Sequence, residues 1–85
     1  MRVMEFKQWL TEKGRYKDHS LNDKVSQCRR IEKILNISLD KLTVKHDLNE
    51  AVSILRKETM SEKYSSFTRS HLNKALTLYY EFYQS

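Results

Sequence analysis

Apolar residues along this chain recur mostly at helical spacing and gather into blocks separated by short polar passages. The longest block, Ser66 to Tyr83, predicts a final helix. On a 3.6-residue wheel Phe67, Leu72, Ala75, Leu76, Leu78, Tyr79, Phe82 and Tyr83 share about half the circumference, and Arg69, Ser70, Asn73, Lys74 and Thr77 occupy the other side. One face is expected to build a core and the other to look outward.

Three further blocks precede it. Val3, Phe6, Trp9, Leu10 and Lys13 predict a first helix over residues 3–13, with Gly14 placed for a left-handed cap. A charged connection, Arg15 to His19, follows. Ser20 with Asp23 has the form of a capping box and predicts the start of a second helix. Its stripe is Leu21, Val25, Cys28, Ile31 and Leu35, ending at Asn36, and its outer arc carries Asn22, Ser26, Arg29, Arg30 and Lys33. Ile37 to Lys45 alternates apolar and polar residues as a strand does, yet a strand there would have no partner in the chain. A pinned connection with one helical turn at Leu39 to Leu42 is the better expectation. Asp47, with Glu50 three residues on, is expected to cap a third helix buried through Leu48, Ala51, Val52 and Leu55 and ending near Glu58. Thr59 to Ser65 is the last loop, and Ser65 or Ser66 the last N-cap.

The expected fold class is therefore all-α: one domain over residues 1–85, a small bundle of four helices, or five if the middle passage completes a turn. Composition agrees, with no proline, one glycine and nine aromatics in 85 residues. The formal net charge of +5 is uneven. Residues 1–33 hold nine Lys or Arg against five Asp or Glu, residues 34–55 two against three, and residues 56–85 five against three. If the two ends pack side by side, their charges merge into a surface suited to an anionic partner. No apolar run of about 18 residues is present, so no membrane span is expected, and the mixed first residues do not suit a signal peptide. Lone Cys28 fits a reducing cytoplasm and, inside the apolar stripe, reads as a small buried hydrophobe.

Little points to catalysis. His19, His46 and His71 lie far apart with no ligand at i+3 or i+4, so no metal is expected, and His46 beside Asp47 reads as a capping pair. One glycine allows no phosphate-binding glycine loop, and no cofactor is expected. Chemistry is better sought on a surface. Arginine pairs phosphates or guanine edges and asparagine pairs adenine, provided both stand on a rigid face. Arg29, Arg30 and Lys33 with Arg69, Asn73 and Lys74 supply such a set.

The order of segments adds a resemblance. FKQWL at Phe6 to Leu10, SLNDKVSQCRRIEKIL at Ser20 to Leu35, LDKLTVKHDLNEAVSIL at Leu39 to Leu55, and SSFTRSHLNKALTLYYEFY at Ser65 to Tyr83 together resemble the N-terminal core-binding, SAM-like domain of tyrosine recombinases and phage integrases. The resemblance covers nearly the whole chain through spaced apolar positions and caps. It implies half of a clamp around duplex DNA, in the setting of DNA recombination and integration, with the second and fourth helices facing the major groove. Carried onto this sequence, it implicates Ser26, Arg29, Arg30 and Lys33 with Arg69, Ser70, Asn73 and Lys74. The family's catalytic half has no counterpart: HLNK at His71 to Lys74 is not His-x-x-Arg, and Tyr79, Tyr80 and Tyr83 fall on a core-facing helix. Strand cleavage is not expected from these residues. The rival expectation is a protein-interaction module, an inhibitor or adaptor, whose signature would be an exposed apolar or tyrosine patch involving Tyr16, Tyr64 or Tyr80.

Overall fold

The last helix is the element the others pack against. In the computed structural model, which describes residues 1–14 and 16–85, the order is α1 (Val3–Glu12), α2 (Asp18–Leu35), a 3-10 turn (Leu39–Lys41), α3 (Lys45–Glu58) and α4 (Ser66–Gln84). No strand occurs among the described residues, so the all-helical expectation holds. Leu72, Ala75, Leu76 and Tyr79 of α4 are all 1% exposed or less, and α1, α2 and α3 each lay an apolar stripe against that helix. Phe6 meets the Tyr79 ring edge-on at 5.0 Å, while Cys28 of α2 sits 3.6 Å from the Ala75 carbonyl. Two small residues at that crossing let α2 and α4 approach closely.

Helix ends follow local chemistry, with two corrections. Gly14 adopts φ 68° after α1, as its position predicts. The second helix, however, begins at Asp18 and not at Ser20. The Leu21 N–H already donates to the Lys17 carbonyl at 2.9 Å, so Ser20 lies inside the first turn and its capping box does not form. Asp18 at the positive end of the helix dipole favours the earlier start, and half-buried Tyr16 fixes the entering chain against the core. Of the expected connection Arg15 to His19, Arg15 lies outside the described residues, and Asp18 and His19 are helical. Asn36 closes α2 in the left-handed region at φ 55°, which asparagine tolerates.

The middle passage makes the single turn the sequence allows. Ser38 Oγ accepts from Asp40 N–H, the Leu39 N–H donates to Glu32 Oε2 at 2.9 Å, and Leu39 and Leu42 are buried. The third helix is the second correction: it starts at Lys45 behind Val44, and Asp47 falls in its first turn without capping it. There Asp47 acts through the helix dipole. His46 pairs with Glu50 at 3.4 Å and not with Asp47. Thr59 closes α3 from a buried position, its Oγ1 donating to the Leu55 carbonyl at 2.7 Å. Ser65 is the N-cap of α4, accepting from Thr68 N–H at 3.1 Å.

Phe67 departs from its expected face. It is 73% exposed, because the stripe of α4 becomes core only from Leu72 and, among the described residues, the first turn is shaded on its α3 side and not over Phe67. Periodicity assigns a side of the helix, but it does not say how far along it a neighbour reaches.

Candidate nucleic-acid interface

Ser26, Arg29, Arg30 and Lys33 all stand exposed on α2, opposite the stripe that buries Val25, Cys28 and Ile31. At spacings of three and four they form one contiguous patch. Arg30 leans toward the following loops, its guanidinium 5.2 Å from the centre of the Tyr64 ring, which holds the charge in place. Arg29 and Lys33 stand free on the ridge.

The face expected on α4 is divided. Ser70 and Lys74 are exposed, but Arg69 and Asn73 are half-buried and line a shallow cavity of about 300 Å³ together with Arg56, Thr59 and Met60 beside the end of α3. Arg69 Nε and Asn73 Oδ1 are covered there without a hydrogen-bond partner. These two residues therefore do not share the outward face the wheel assigned them. The wheel places them on its polar half; only the position of α3 shows that this edge is shaded.

Between α2 and α4 lies a larger groove, about 490 Å³, which gathers Lys24, Arg30, His71 and Lys74 with Asp23 as the one carboxylate and Tyr16 and Phe67 at its edges. Arg30 and Lys74 are the two expected site residues that line this groove, as Arg69, Ser70 and Asn73 line the cavity beside α3. Lys24 is the residue that the sequence reading missed. It is 6% exposed, donates to Gln27 Oε1 at 3.4 Å and lies 6.0 Å from the Tyr16 ring. Burial, and next the Lys74 ammonium, lower its pKa, against partial opposition from Cys28 and Asp23. The signal was available: Lys24 is three residues after Leu21 and four before Cys28, on the core side of the stripe.

Among the described residues no lysine or arginine side chain lies within ion-pair distance of a carboxylate. The ion pairs present are those of the terminal ammonium with Glu32 and Asp40, and of His46 with Glu50. The cations of α2 and α4 are therefore not tied up in direct ion pairs, although Asp23 lies in the groove beside Lys24, and they stay free to meet a polyanion.

Other chemistry finds less support. Burial, and next Glu32, push the Cys28 thiol up to about 12, far from the range of a reactive thiolate. No group of three metal-ligating side chains converges among the described residues, and no helix is long and apolar enough to cross a membrane. The tyrosines Tyr16, Tyr64 and Tyr80, expected as an interaction patch, are half-buried against the core. The exposed large apolar residues are Met4, Ile37, Val44, Ile54, Met60 and Phe67. Ile37 and Ile54 flank a separate groove of about 240 Å³ floored by Leu42 and Ala51. No family model, no curated protein and no solved structure matches this chain.

Proposed function

We propose that this chain is a small helical DNA-binding module of the integrase core-binding type, which grips duplex DNA through α2 and the facing side of α4 and acts in the cytoplasm without cleaving the strand by itself. The observation that carries this reading is the unpaired cationic surface: Arg29 and Lys33 on the ridge of α2, and Arg30, Lys24 and Lys74 at the groove beside it, none with an ion-pair partner. Backbone phosphates are the principal contacts, and base edges are secondary. Ser26 supplies a hydroxyl donor on the ridge of α2, and Ser70 supplies one at the rim of the cavity beside α3. Arg69 and Asn73, turned toward α3, take a smaller part than the resemblance implies.

The test is duplex binding followed by fluorescence anisotropy across a salt series. About four to six neutralised phosphates give a log-log slope near −4 to −5. Arg29→Glu with Lys33→Glu should remove binding and leave the melting temperature unchanged, since both side chains are exposed. Full affinity in that variant contradicts the reading.

A second reading, a protein-interaction module, is favoured by the groove between Ile37 and Ile54, which are 37% and 51% exposed. Its mark is a complex with a protein partner that survives high salt and is lost in Ile54→Asp.

A further inference from the structure

Lys24 and Lys74 are the least comfortable pair in the molecule. Lys24 is almost fully covered, burial and next the Lys74 ammonium disfavour its charge, and Asp23 is the sole carboxylate of their groove, too distant from either lysine to make an ion pair. A like-charged pair in a partly desolvated site is relieved by an anion placed between the ammonium groups. At the rim stands Phe67, 73% exposed, its ring 4.2 Å from that of His71. A rigid aromatic ring left to solvent beside two cations provides a stacking surface next to a phosphate site.

We infer that the groove between α2 and α4 is a pocket for a single nucleotide unit, the phosphate lying between Lys24 and Lys74 and the base stacking on Phe67. A volume of about 490 Å³ accommodates such a unit. Gln27, whose Oε1 holds the Lys24 ammonium, sits where its amide can donate to the bound phosphate. A base inside a duplex is stacked and paired and cannot reach Phe67, so the unit is unpaired. It comes either from a single-stranded end or overhang or from a free nucleoside monophosphate. The inference rests on the nucleic-acid reading for its choice of ligand, but it uses a site beside the ridge of Arg29 and Lys33.

The test is a set of amide-shift titrations of the isotopically labelled full chain with inorganic phosphate, deoxyadenosine monophosphate, a short oligodeoxyadenylate and a short blunt duplex. The monophosphate or the oligonucleotide should move the amides of Lys24, Gln27, Phe67 and His71. Phe67→Ala, at an exposed position, should weaken that binding on the order of tenfold without changing the melting temperature. Lys74→Ala should weaken it as well. Shifts with the monophosphate identify a free nucleotide as sufficient, and shifts with the oligonucleotide alone identify a strand. The inference is overturned if neither probe moves those amides, or if inorganic phosphate reproduces the shifts and Phe67→Ala changes nothing. A duplex that still binds through Ser26, Arg29 and Lys33 would then leave the duplex reading standing. A strand that binds where the duplex does not would remove the duplex reading alone.

Discussion

Tyr79 of α4 donates its phenol proton to Asp40 Oδ1 at 2.5 Å, across 39 residues of chain. The same phenol oxygen accepts the Arg2 N–H at 2.8 Å, and the terminal ammonium lies 3.0 Å from Asp40 Oδ2. One buried tyrosine thus ties the start of the chain and the 3-10 turn to the central helix. These bonds fix the connection whose sequence alternates as a strand does.

Tyr79→Phe keeps the ring and removes both hydrogen bonds, leaving the Arg2 N–H and the Asp40 carboxylate short of a partner. A loss of about 1–3 kcal/mol is expected in urea unfolding, with duplex affinity unchanged. An unchanged midpoint would show that solvent replaces these bonds.

The same group sets a pH dependence. Burial pushes the Asp40 carboxyl up, but the Tyr79 hydrogen bond, the terminal ammonium and Arg2 together hold it below its ordinary 3.8. A depressed folded-state carboxyl contributes stability above its unfolded value, and that contribution is lost as pH falls through the folded value. Tyr79 runs the other way: burial, then Asp40, raise its phenol above the ordinary 10.0. The unfolded chain releases that proton first, so stability falls as pH rises beyond 10.0. Melting curves across pH should show a plateau between these limits, and Tyr79→Phe should shrink both limbs.

Cys28 is wholly buried and its thiol stays protonated, so a thiol reagent should react only as fast as the chain opens. Labelling rates measured with increasing urea should follow the unfolding equilibrium. Rapid labelling without denaturant would place Cys28 near a path to solvent and undo the α2–α4 contact described above.

The helices were legible because each carries a long apolar stripe, and the last N-cap was legible to within one residue, Ser65 or Ser66, of which Ser65 accepts the Thr68 N–H. Ser20 and Asp47 misled as caps. Each is the third residue of a helix whose start is fixed by the incoming chain, at Tyr16 before α2 and at buried Leu42 before α3, and no capping side chain is used. The candidate surface was legible on α2, where the outer arc faces only solvent. On α4 it was legible in part, since Arg69 and Asn73 sit on an edge whose exposure is decided by α3. The spacing of Lys24 to Leu21 and Cys28 marked it as core-facing, but its link to a site comes from Lys74 across the groove, which no spacing shows.

The most direct measurement is a titration of short random-sequence duplex DNA into isotopically labelled protein at low and then moderate salt, followed by backbone amide shifts. Shifts at Ser26, Arg29, Arg30, Lys33, Ser70 and Lys74 that fade as salt rises are the expected result. Absence of shifts at low salt would contradict direct duplex binding and turn attention to a protein partner at the groove of Ile37 and Ile54.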